Sequence, residues 1–405
     1  MTTEPASPRM VGQRLADARK ARAITQEVAA EHIGVSRPTF IAIEKGERVA
    51  KPAEIMKLAS LYGRPIHHFV RTDAPVTDFQ PHFRAAMEKV KPSEAQQLRD
   101  AIGEFKVFVE NYLELERRMK APMRANYPQP VKLSTRVNVA ELAEDIASRE
   151  RQRLGLGDQP IPDIRTLLES DVGVRIFLGR LPRTYAGMYI FVDGLGGCML
   201  INSFHPADKQ RASIAHEYAH FIVDRYSAGI DYLTIPGRKP ANERFAESFA
   251  MSFLMPASSV RFRFNEIVGA TGNFQVADLV KLKHRFSVSM EAMALRLEGL
   301  GLLKAGTWDL LKEKRIPVRE AEKRLGLVAE KRPEAAYPER YKFLAVHAYE
   351  RGELTEKELA NYLRCDVWEA RQVIQETMLS VEVDAEGHPL PMEADFETSL
   401  LADHS

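Results

Sequence analysis

Five consecutive residues, His216-Glu217-Tyr218-Ala219-His220, carry the strongest chemical signal in the chain. On a helix, positions i and i+4 lie on one face, one turn apart. Both imidazoles can then reach a single divalent ion at ~2.0–2.1 Å. Ile214, Ala215, Phe221 and Ile222 surround the pair, so the helix reads as buried. Glu217 falls beside a water on the ion rather than on the ion itself, which is the place for a general base. A tetrahedral catalytic site needs a third protein ligand and one open position. Downstream, residues 242–250 read as a second helix with Ala246, Phe249 and Ala250 inward. Glu243 and Glu247 share one face of it. Glu243 is the expected third ligand. Glu247 is then expected to accept the spare N–H of a ligating histidine. Two acids on the apolar side of a helix are expensive unless a cation or donors compensate them.

Zinc is the expected metal, although a His/His/Glu set also accepts manganese or iron. Retention of Glu217 favours catalysis, because a purely structural zinc needs no base and usually takes cysteine-rich ligands. The chain has two cysteines, Cys198 and Cys365, too few for a disulfide framework and in keeping with a reducing, cytoplasmic setting. Charge developing on a scissile carbonyl would profit from a second electrophile. Tyr185, Tyr189, His205, Tyr226 and Tyr232 are unranked candidates for it. The segment 225–240, with Gly229, Pro236 and Gly237, reads as a loop over the cleft.

A different chemistry is legible at the N-terminus. Residues 9–64 hold more Lys and Arg than Asp and Glu, within a chain of formal net charge +1. Three short helices follow from the pattern. The first runs from Val11 to Arg22. Thr25 caps the second. Gly34 permits a tight turn, and Ser36 caps a third helix, RPTFIAIEK, that ends at Gly46. Pro38 sits in that helix's first turn, where its missing N–H costs nothing. Two helices joined by a turn of about four residues with a glycine form the helix-turn-helix unit, whose second helix presents its first turn to base edges.

The stretch ITQEVAAEHIGVSRPTFIAIEKGERVAKPAEIMKLASLYG resembles the Xre/Cro family of phage-repressor-type DNA-binding domains, over about residues 10–70. The resemblance places Gln26 on a phosphate and Arg37, Thr39 and Lys45 on or near the groove, with Ser36 and Arg48 as further contacts. Phe40-Ile41 is bulkier than the polar pair often found there, so one of the two must pack inward. A second resemblance covers about residues 130–305. RASIAHEYAHFIVD followed by NERFAESFAMSFLMP resembles the ImmA/IrrE metallopeptidases, a gluzincin-like group acting on repressor proteins. Counted back from Pro256, the family's ligand glutamate falls on Glu243, and a position often Asn or Asp is Glu247 here. The upstream TYAGMYIFVDGLGGCMLINSFHPADKQR reads as a hairpin, Gly187–Val192 with Cys198–Asn202. The resemblance implies that Cys198–Asn202 is an edge strand taking an extended peptide as an added strand.

The elements that must position these groups are mostly helical. The expected fold class is mainly α with a small antiparallel β-sheet (α+β). The expected domains are a helix-turn-helix head at 1–72, a linker with a long helix at 73–130, the metal domain at 131–305, a helical region at 306–380 and an acidic, mobile tail at 381–405. The linker helix is expected to be capped by Ser93, with Leu98, Ile102, Phe105, Val109 and Tyr112 as its apolar face. The helix–turn–helix rhythms at 276–303 and 350–374 read as helix packing, and His67, His68, His284 and His347 as non-ligands. No apolar run reaches ~18 residues, so no membrane span is expected. The composite expectation is a regulator that binds double-stranded DNA as a homodimer and cuts a partner protein, a repressor or toxin-operon partner, by zinc-activated water. The alternative is a transcription factor or antitoxin-like regulator whose metal domain senses or binds a partner without turnover.

Overall fold

The computed structural model describes residues 7–22, 24–62, 66–70, 83, 87–88, 90–133, 138–226, 229–232, 239–314, 316–327 and 336–378. The expected tail at 381–405 and most of 71–89 lie outside the described residues. Contacts divide the chain into two compact units: Met1–Glu114 with Pro122–Glu339, and Leu115–Ala121 with Arg340–Ser405.

The head is built from α1 (Pro8–Ala21), α2 (Gln26–Ile33), α3 (Arg37–Lys45), α4 (Pro52–Tyr62) and α5 (His67–Val70). Ser7, Thr25 and Ser36 each cap a helix by accepting the backbone N–H three residues on. Gly34, at φ +74°, ends α2 in the left-handed conformation that the tight turn requires. Leu15, Ala29, Phe40, Ile43, Leu58 and Tyr62 fill the core, so Phe40 is the member of the bulky pair that packs inward. A Cβ on Gly12 would stand 2.3 Å from the Ile43 carbonyl oxygen, so only glycine lets α1 cross α3 this closely.

The long helix α6 (Pro92–Arg118) starts two residues ahead of the start that a Ser93 cap implies, with Pro92 in its first turn. Proline is at home there because a first-turn N–H has no partner inside the helix. Leu98, Ile102, Phe105, Val109 and Tyr112 are all buried. Phe105, Phe108 and Tyr112 enclose the ring of Phe177, at centroid distances of 6.1, 5.1 and 6.1 Å. That face is therefore covered within the chain.

Phe177 lies on β1 (Arg175–Gly179), which follows α7 (Val139–Arg153), α8 (Ile164–Leu167) and a π-helical turn at Leu168–Val172. With β2 (Tyr185–Val192), β3 (Gly196–Asn202) and β4 (Gly229–Tyr232) it forms a four-stranded sheet in the order β1-β3-β2-β4. The hairpin β2–β3 is antiparallel, as its glycine-rich turn demands, but β1 joins β3 in parallel, so the sheet is mixed. Ile176 and Leu178 join the core of the metal domain, while Phe177 between them points to α6. Burial of both faces explains the continuous apolar runs of these strands.

Against the sheet lies α9 (Ala207–Val223), and α10 (Ala241–Leu254) packs on α9 and α7; they are followed by α11 (Ala257–Thr271), α12 (Val276–Phe286), α13 (Met290–Gly299), α14 (Thr307–Glu313) and α15 (Val318–Arg324). Leu279, Val280, Leu282, Phe286, Met293 and Leu297 belong to the same core, so the rhythm at 276–303 is helix packing. The second unit holds α16 (Glu339–Glu350), α17 (Glu356–Leu363) and α18 (Val367–Met378), with a capping box at Thr355 and Glu358. No helix among the described residues is long and apolar enough to cross a membrane.

Candidate metal centre

Two helices that each follow a proline carry the polar cluster. Pro206 precedes α9 and Pro240 precedes α10. On α9, Ile214, Ala215, Tyr218, Ala219, Phe221 and Ile222 are buried and fix the helix under the sheet. Tyr218 packs between Phe221 and Phe249, and its hydroxyl bonds to the buried Glu150. On α10, Phe245, Phe249 and Phe253 form a stacked column. The far end of α10 is pinned by polar contacts. Arg151 donates to the Phe253 carbonyl at 2.5 Å. Glu144 accepts Ser252 at 2.6 Å and both terminal nitrogens of Arg296 at 2.7 and 2.8 Å.

This scaffold brings His216, His220 and Glu243 together. Nε2 of His216 and Nε2 of His220 are 3.1 Å apart. Glu243 places Oε2 at 3.4 Å from the first and Oε1 at 3.5 Å from the second. Tetrahedral bonds of ~2.0–2.1 Å imply donors about 3.3–3.4 Å from one another. The donor spacing therefore fits one divalent cation, and two imidazoles with a carboxylate match borderline metals such as zinc. Among the described residues this is the cluster of three such groups able to hold an ion. The electrostatics agree. Burial pushes the Glu243 carboxyl up, but His216 and His220 outweigh it and hold it well below the usual carboxylate range. Burial pulls His220 down, yet Asp224 and Glu243 outweigh it and raise the ring to about 10. Both shifts favour positive charge at the centre of the cluster.

Glu217 is 1% exposed. A Cβ built on Gly187 of β2 would lie 2.9 Å from its Oε1, so the strand approaches the carboxylate too closely for a larger residue. The resemblance-based expectation for the strand is corrected here. Cys198–Asn202 belongs to β3, which is interior, with β1 on one side and β2 on the other. The strand beside Glu217 is β2, and its outer edge pairs with β4 through Gly187↔Asp231 and Met188↔Ile230. β1, which continues the π-helical turn back onto the hairpin, takes the edge that β3 was expected to offer. The loop expected at 225–240 holds β4, and residues 233–238 lie outside the described residues.

Glu247 is the second correction. It is exposed on α10 and bonds to Lys239. The carboxylate beside His220 is that of Asp224, whose Oδ2 lies 3.5 Å from Nδ1 and accepts Asn242 at 3.0 Å. Asp224 was legible in principle, since it continues the series 216, 220, 224 at four-residue spacing. Of the candidate electrophiles, Tyr185 donates to Glu94 and Tyr189 to the Arg225 carbonyl, while His205 contacts the Arg183 carbonyl. These groups have internal partners. Tyr226 is exposed against Phe191.

In the head, Ser36 caps α3 and bonds to the Thr39 hydroxyl, Arg37 and Lys45 are exposed, and Thr39 is half-buried. Two expected contacts are engaged inside the fold. Gln26 donates to Glu44, which also pairs with Arg19. Arg48 forms a two-pronged pair with Glu54 at 2.8 and 3.1 Å. Neither expectation allowed for the two buried acids that claim these side chains.

Comparison with known proteins finds matches to two regions of the chain. The family description "IrrE N-terminal-like domain" (Peptidase_M78) matches residues 169–298, and a helix-turn-helix domain description matches residues 11–69. The cryptic phage CTXphi transcriptional repressor RstR of Vibrio cholerae is 39% identical over 61 residues, 15% of this chain and 55% of the repressor, so the chain spans about half of that relative. Two solved structures also align. PlcR of Bacillus thuringiensis, in complex with the peptide PapR7 and DNA, shows 10% identity over 91% of this chain and 95% of that chain. ComR of Streptococcus suis shows 11% identity over 91% and 93%. Both have a TM-score of 0.16 and bear no weight on the fold. The chain therefore joins an N-terminal helix-turn-helix domain to an IrrE N-terminal-like domain of the metallopeptidase-like Peptidase_M78 family.

Proposed function

We propose that this chain is a cytoplasmic transcriptional regulator that binds double-stranded DNA through α3 and hydrolyses a peptide bond in a partner protein at the centre on α9 and α10. The convergence of donor groups from three residues, at contacts of 3.1–3.5 Å through two imidazole nitrogens and both oxygens of Glu243, beside a buried glutamate carries the reading. His216, His220 and Glu243 would hold a divalent cation, with zinc the best match to the donor set. Such an ion, when bound, polarises a carbonyl and lowers the pKa of a water. Glu217 stands next to the ligands without joining their donor set, so it takes the proton of the attacking water and returns it to the leaving amine. Gly187 leaves room for that carboxylate. The carboxylate is almost wholly buried. On DNA, Arg37 and Lys45 are the outward cations of α3, and binding through them is salt-dependent. The partner is a protein, a repressor or a toxin-operon component, and the head binds as a homodimer on two half-sites.

One observation favours a second reading. The edge of β2 beside Glu217, where an extended peptide would add as a strand, already carries β4. A regulator that binds its partner without turnover would have such an edge permanently filled. Glu217→Gln separates the two readings. The protein is incubated with each repressor encoded beside it, with and without chelator. Turnover predicts cleavage that falls by about 10²–10⁴-fold in the variant while metal content and DNA affinity stay as they were. Regulation and partner binding that survive the substitution, with no cleavage by the wild type, would establish the second reading instead.

A further inference from the structure

The side chain of Asp224 stands where the two ligand-bearing helices meet. It caps the C-terminus of α9, four residues after His220. Its Oδ2 lies 3.5 Å from Nδ1 of His220, while Nε2 of the same ring faces His216 and Glu243. The same oxygen accepts a 3.0 Å hydrogen bond from Nδ2 of Asn242, the residue immediately before Glu243 on α10. One carboxylate oxygen thus touches both halves of the donor cluster. Its position is not explained by the helix end itself, since an acid at a helix C-terminus faces the negative end of the dipole. The imidazole and the amide offset that repulsion. A carboxylate on the far nitrogen of a ligating imidazole fixes which nitrogen carries the proton, orients the ring and raises the basicity of the other nitrogen.

We propose that Asp224, held by Asn242, is a positioning residue for the divalent cation. It keeps the proton of His220 on Nδ1, presents Nε2 to the ion, and ties the placement of His220 to that of Glu243. The proposal rests on the metal-centre reading of His216, His220 and Glu243, and it assigns to Asp224 the role expected of Glu247. Asn242 orients the carboxylate through its amide.

Zinc affinity of the full chain, measured by competition with a chromophoric chelator, tests this, with the melting temperature of the metal-free protein recorded in parallel. Asp224→Ala is expected to weaken zinc binding by about 10–100-fold while the metal-free melting temperature holds. Asp224→Glu is expected to recover most of that loss, Asn242→Ala to show a smaller loss in the same direction, and Glu247→Ala to show none. Wild-type affinity in Asp224→Ala would overturn the role. So would a fall in affinity matched by a fall in metal-free stability and not recovered by glutamate, which is the signature of a helix clamp. A wild-type chain that binds no zinc would overturn the metal centre and this role together, a result distinguishable from loss of the role alone.

Discussion

The head and the metal centre treat their polar residues in opposite ways. At the centre, His216, His220, Glu217 and Glu243 come from two helices and converge in a half-buried pocket, where each charge needs a nearby opposite. In the head, the residues expected to meet DNA lie along a surface, and two of them turn inward: Gln26 to Glu44 and Arg48 to Glu54. A buried site declares itself by convergence, because burial makes every unpaired charge costly. A surface site declares itself by what has no claim on it from within, which leaves Arg37 and Lys45 as the outward cations of α3.

The contrast can be broken at its tightest point. Gly187→Ala places a methyl 2.9 Å from Oε1 of Glu217. The carboxylate must move, and a misplacement of that order is expected to lower cleavage by about 10²-fold. Zinc content and DNA affinity should not change, as titration of each would show. An equally active Gly187→Ala would mean that Glu217 has slack and that the pocket is less constrained than its neighbours imply.

At the head the effects should be smaller and should leave the centre untouched. Arg37→Ala and Lys45→Ala are each expected to weaken DNA binding several-fold and to reduce the slope of log affinity against log salt by about one. Gln26→Ala and Arg48→Ala should act mainly through stability, since their partners are internal. Fluorescence anisotropy over a salt series separates the two classes, and a full unit of slope lost in Arg48→Ala would place that guanidinium on a phosphate after all.

The chemistry of the centre was more legible in the sequence than the geometry around it. His216, Glu217, His220 and Glu243 were legible because metal ligation demands particular residue types at helical spacing, and apolar neighbours marked both helices as buried. The hairpin β2–β3 was legible from alternation around DGLGG. The parallel partner β1 was not, since a five-residue strand made by RIFLG has no local signal for its neighbour. Glu247 and Asp224 show the same limit. Both sit one turn from a ligand, and only the crossing of α9 and α10 decides which one faces His220. The buried Glu44 and Glu54 that draw in Gln26 and Arg48 likewise depend on packing between helices.

The smallest effect concerns the scaffold of the centre. Burial pushes Glu144 up, but Arg296 and Ser252 outweigh it, so its folded pKa lies below that of the unfolded chain. A carboxyl depressed in this way contributes stability above its unfolded value, ~4.3, and that contribution is lost as pH falls through the folded value. The melting-temperature gap between wild type and Glu144→Gln should therefore be open at pH 6 and narrow steadily toward pH 3.5. A gap that widens on acidification would reverse the sign assigned to this pair.

The most direct test of the central claim is zinc-edge X-ray absorption on the purified full chain. One equivalent of zinc with two imidazole nitrogens, an oxygen donor and no sulfur is expected, lost in both His216→Ala and Glu243→Ala. A sulfur-ligated ion, or zinc retained in full by Glu243→Ala, would contradict it.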